Sequence, residues 1–171
     1  MKLNKLIKSA LFLAIAIVFQ TLGKSFPQLS QFVTGSVVNA ILLLTACVCG
    51  TWWAIGVGAL TPILAALTGQ LAAPLVPFVP FIIIGNALII LVFAIFLNYK
   101  SYGKYLAIIP AALVKFAFLY LSVTYIVQLF NIKIPKKAAV AMGIPQLITG
   151  LIGGVLACLI IEALRKRKQL I

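Results

Sequence analysis

Apolar runs of membrane-spanning length recur along the whole chain, and nothing else in the sequence constrains the fold as tightly. They cover about Leu6 to Leu22, Val33 to Cys49, Trp52 to Leu71, Val76 to Leu97, Tyr105 to Leu129 and Ala138 to Leu164, each bounded by Gly, Pro, Asn or Lys. A helix that crosses the bilayer core needs roughly 20 mostly apolar residues. The 171 residues therefore hold six such helices with short connections and leave no room for a second domain. The composition agrees, because 64% hydrophobic and only 9% charged residues fall outside the range of soluble domains. The expected fold is one all-α integral membrane domain over residues 1–171, with six transmembrane helices.

The charges fix an orientation. If the N-terminus is cytoplasmic, Lys2, Lys5, Lys8, Lys100, Lys104, Arg165, Lys166, Arg167 and Lys168 face inward, and Lys24, Lys133, Lys136 and Lys137 face outward. Cytoplasmic flanks carry the excess of Lys and Arg, so this distribution places both termini in the cytoplasm, which requires an even number of spans. The basic residues sit between apolar segments without interleaved aromatics, where anionic lipid explains them and nucleic acid does not. The first segment, preceded by Lys2, Lys5 and Lys8, resembles a secretory signal peptide, but no small-x-small cleavage site follows before Lys24. It is read as the first helix.

Enzymatic chemistry lacks its parts. The chain has no His, no Asp and one acid, Glu162, so general acid and base candidates and Mg or Zn ligands are missing. Cys47, Cys49 and Cys158 lie in or beside apolar segments and read as buried thiols. Gly23, Lys24 and Ser25 mimic the end of a P-loop, but Val18 stands where its earlier glycine belongs. No catalytic residue, cofactor or metal site is expected.

Lys115 is the most informative single residue, because it lies near the middle of the fifth segment, about 15 Å from either surface at 1.5 Å per residue. A cation there costs at least about 2.5–3.5 kcal/mol and belongs in the bundle interior, facing either a ligand or carbonyls near Pro110. On an ideal helix Ser122 and Tyr125, at i+7 and i+10, share its face. Gln146, Thr149 and Gly153 form a similar stripe on the sixth segment, and Asn86 puts an amide near the middle of the fourth. These residues either line a polar pocket opening outward or bond between helices, as polar groups in membranes routinely do. Gly23 to Thr34, with Gln28 and Gln31 around Pro27, is the longest polar stretch outside the spans and a candidate lid. Pro62 and Pro110 fall within helices and remove donors there, whereas Pro77, Pro80 and Pro145 fall near helix starts. Trp52 and Trp53 mark a tight interfacial turn.

Size, six helices, basic ends and the run Ala10-Leu-Phe-Leu-Ala14 resemble the substrate-binding S components of energy-coupling factor (ECF) vitamin transporters over essentially the whole chain. The run matches that family's Ala-x-x-x-Ala motif. The resemblance implies a plasma-membrane subunit that captures a vitamin or related micronutrient near the outer surface and draws energy from partners. Those partners are a transmembrane T subunit, docked on the Ala10 and Ala14 face, and two ATPase subunits. The implied pocket is Asn86, Lys115, Ser122, Tyr125, Gln146 and Thr149, with Gln28 and Gln31 on the lid. One cation and no acid among them favour a neutral or anionic ligand. The competing readings are a stand-alone carrier or channel and a scaffold without a ligand.

Overall fold

In a computed structural model the described residues are 2–24, 27–97, 103–126 and 136–167, and among them the chain is helical with no strand. Eight α-helices follow in order: α1 Lys2–Lys24, α2 Pro27–Val48, α3 Thr51–Leu67, α4 Val79–Leu97, α5 Gly103–Leu106, α6 Ile108–Leu121, α7 Lys136–Ala141 and α8 Ile144–Lys166. A 3-10 helix, Ala73–Phe78, leads into α4, and a π-helical stretch, Ser122–Ile126, continues α6. Ser25, Lys100, Lys133 and Lys168 lie outside the described residues.

Among the described residues five stretches are long and apolar enough to cross a membrane: Lys2–Gly23, Gln31–Val48, Ala73–Leu97, Gly103–Tyr125 and Ala139–Lys166. The sixth expected span corresponds to α3, whose 17 residues rise only about 26 Å. It ends four residues earlier than its apolar run because Gly69 takes a left-handed conformation (φ 67°). The Gly69 amide then bonds the Ala66 carbonyl at 3.2 Å, and the Gln70 amide bonds that of Ala65 at 2.9 Å, which closes the helix with a Schellman pair. Gly50 (φ 104°) makes the two-residue turn from α2 to α3 in the same left-handed region.

The polar stretch Gly23–Thr34 differs most from expectation. Its described residues are helical: Gly23 and Lys24 end α1, and Pro27 to Thr34 make the first two turns of α2. A proline at the first helical position forfeits no hydrogen bond and has its φ preset, so the polar residues after it lengthen the helix. The fifth run also divides. Pro110 lacks the donor for the Leu106 carbonyl and crowds it, and the break at Ala107 separates α5 from α6.

The start of α1, the end of α2, the start of α5 and the end of α8 meet at one end of the bundle, where Lys5 and Lys8 are within electrostatic reach of Cys49, and Lys104 and Arg165 of Cys47. There the packing is dense. Leu42, Leu43, Ala54, Ile90, Phe93, Ala107 and Ala157 form a continuous core. Glu162 receives a hydrogen bond from the Tyr105 hydroxyl and lies 3.9 Å from both Lys104 and Lys166, tying α5 to α8. Toward the opposite end lies a smaller cluster of Leu75, Phe78, Leu119 and Met142, and there the interior opens.

Candidate functional site

The opening is a cavity of about 630 Å³, within the usual range for small-molecule sites. Its walls come from the end of α1, the start of α2, the end of α3, the loop and 3-10 helix before α4, and the starts of α4 and α8. Lys115, from the middle of α6, reaches it from within the bundle.

Lys115 is 4% exposed, and its Nζ donates to Asn39 Oδ1 at 2.7 Å and to Asn86 Oδ1 at 2.9 Å. Both amides must present oxygen to it, and each is oriented by what its nitrogen meets. Asn86 Nδ2 donates to the Gly58 carbonyl at 2.9 Å. That carbonyl is available because its helical partner would be the amide of residue 62, and Pro62 has none. The proline in α3 thus fixes an amide on α4, which in turn holds the lysine on α6. Asn39 Nδ2 faces Thr149 Oγ1 at 3.5 Å, and Thr149 donates onward to the Gln146 carbonyl at 3.2 Å.

An open carbonyl is used at the rim as well. α7 ends at Ala141, so this carbonyl has no helical donor, and Gln31 Nε2 at 3.0 Å and Gln146 Nε2 at 3.5 Å both point to it. These bonds tie the start of α2 to α7 and α8. On the α1 side, Gln20 Nε2 donates to the Thr61 carbonyl at 3.5 Å, while its buried Oε1 has no protein partner.

Close helix approach makes the arrangement possible. A Cβ at Gly153 would lie 2.7 Å from Asn39 Cβ, and one at Gly58 would lie 3.3 Å from Asn86 Cβ. Both asparagines are therefore set against a glycine of a neighbouring helix. Gly150 and Gly154 face α6, where Ala112 and Ile108 occupy the space side chains would fill.

The structure brings Asn86, Lys115, Gln146 and Gln31 together on the cavity wall. Thr149 is 2% exposed and stands behind Asn39, not on the wall. Ser122 is buried and donates to the Phe118 carbonyl of its own helix at 2.7 Å. Tyr125 is 66% exposed, since the π-helical turn from Ser122 places more residues per turn and spoils the i+10 relation to Lys115. The Gln28 side chain lies outside those described. Ala10 and Ala14 are both exposed on α1, beside exposed Ile7, Leu11 and Val18. The sequence reading passed over Asn39, Gln20 and Thr61. Asn39 carried the signal used for Asn86, a lone amide inside an apolar run.

Lys115 has no counter-charge among the described residues. The single acid, Glu162, belongs to the other end, roughly 16 Å along the fifth span at the level of Lys104. The site can therefore offer a cationic donor, amides and an apolar wall to a small molecule, but it has no group suited to general acid–base catalysis there.

No curated protein and no solved structure matches the chain. Residues 4–165 match the family described as the ECF transporter substrate-specific component. The chain is a multi-pass membrane protein that belongs to this family of ECF transporter substrate-specific components, whose role is to bind a transport substrate and not to catalyse a reaction.

Proposed function

We propose that the chain is the binding subunit of an ATP-driven ECF importer and captures a vitamin or related micronutrient, neutral or anionic, from outside the cell. The observation that carries this reading is the cavity closing on Lys115 at the bundle end away from both termini. With the basic termini in the cytoplasm of a plasma-membrane protein, that end faces outward. The packed apolar core at the other end suits a capturing subunit better than a channel. Energy must then come from partners. The exposed strip of Ala10 and Ala14 offers a T subunit a surface smooth enough for close helix contact, and two ATPase subunits complete the importer.

Co-expression with the T and ATPase subunits tests this. The chain is expected to co-purify with them, and Ala14→Trp is expected to abolish the complex while leaving the isolated chain monodisperse. A chain that never assembles with the module, or an Ala14→Trp variant that assembles normally, contradicts the reading.

A further inference from the structure

The cavity carries two unmet bonding demands of opposite kind, and together they describe a ligand. In its ammonium form Lys115 has three donors. Asn39 and Asn86 accept two, and no carboxylate among the described residues reaches the third. Gln20 makes the complementary demand. It is 6% exposed and on the cavity wall, its nitrogen is committed to the Thr61 carbonyl, and its buried Oε1 accepts nothing. Only a nitrogen can donate to that carbonyl, so the amide orientation follows from its partner. An unmatched charge and an unmatched acceptor are both costly away from water. The same cavity is also lined by apolar Pro74, Leu75, Ile82 and Met142.

We infer that the captured molecule is a small organic carboxylate that also bears an N–H or O–H donor: its carboxylate pairs with Lys115, its donor meets Gln20 Oε1, and an apolar body lies between. This rests on the cavity being the capture site and narrows neutral or anionic to one class. A cation is rejected because it would face Lys115 with no acid nearby. A neutral amide leaves the ammonium without a counter-charge.

The test uses the full chain in detergent. Small molecules retained through purification are identified by mass spectrometry. Matched sets of small carboxylic acids, their primary amides and their amines, with and without a hydroxyl, are then screened by thermal shift and titrated. Carboxylates bearing a donor are expected to be the ligands. Lys115→Met should weaken them about tenfold or more, the scale of one buried charged hydrogen bond. Asn39→Asp guards against misfolding, since it sets a carboxylate beside Lys115 and should fold well yet lose the ligand to the same degree. Gln20→Leu should weaken the hydroxylated acids and leave the plain ones unchanged.

Amides or amines binding as well as acids, a phospholipid as the retained molecule, or carboxylates undiminished by Lys115→Met and Asn39→Asp would each overturn this inference while leaving a binding subunit in place. A chain that retains nothing and responds to no compound overturns the capture site as well.

Discussion

Replacing Gly153 with Ala adds one methyl group at the contact between α2 and α8. That methyl would sit 2.7 Å from Asn39 Cβ, 2.7 Å from the Ser36 carbonyl oxygen and 3.0 Å from the Ala40 nitrogen. Two of the three atoms are backbone and cannot rotate aside. Ordinary contact begins at 3.4 Å, so the helices must part by about 0.7 Å. A shift of that size away from α6 lengthens the 2.7 Å bond between Lys115 and Asn39 to about 3.4 Å, near the limit of useful hydrogen-bond geometry. Overpacking of this kind costs about 1–3 kcal/mol, and alanine recovers up to about 1 kcal/mol of helix propensity. The net expectation is a loss of about 1–2 kcal/mol, with substrate affinity falling several-fold. Gly56→Ala is the control, because nothing lies within 4 Å of its added methyl. Stability in detergent can be followed as the fraction remaining monodisperse on size-exclusion chromatography after heating, and affinity by titration. If Gly153→Ala matches Gly56→Ala in both measurements, the close approach of α2 and α8 does not position Asn39 and the reasoning fails.

Three further outcomes follow from particular contacts. Pro62→Ala supplies a helical donor for the Gly58 carbonyl and competes with Asn86, so the protein should be at least as stable by melting while its affinity falls measurably. Glu162→Gln removes a half-exposed partner of Lys104 and Lys166. It should change stability by less than about 1 kcal/mol and leave titrated affinity unaltered, because the cavity is at the other end. Thr149→Val removes the acceptor facing Asn39 Nδ2 and a donor to the Gln146 carbonyl. It should keep the fold, seen by monodispersity, and lower affinity less than loss of Lys115 does.

Much of the helical architecture was legible in the sequence because apolar run length is a local signal. Lys115 stood out for the same reason, since a cation ten residues from any surface demands an explanation at once. Its partners were harder to read. Asn39 lies 76 residues away in the chain, and nothing local says which of several amides will meet the amine. Pro62 reads as a helix breaker, but its more consequential effect is the Gly58 carbonyl it leaves open, which only tertiary structure assigns to Asn86. Tyr125 departs because a face argument assumes an unbroken 3.6-residue period, and a π-helical turn intervenes. Polar residues between spans read as loop, whereas Pro27 starts a helix that carries Gln28 and Gln31.

The central claim is that the cavity above Lys115 is where the transported molecule is held. An experimental structure of the protein with its co-purified or titrated ligand tests it most directly. The account predicts ligand density within the cavity, with an acceptor oxygen in hydrogen-bond contact with Lys115 Nζ and both asparagines still bonded to that amine. A ligand bound elsewhere, or one seated in the cavity without touching Lys115, would contradict it.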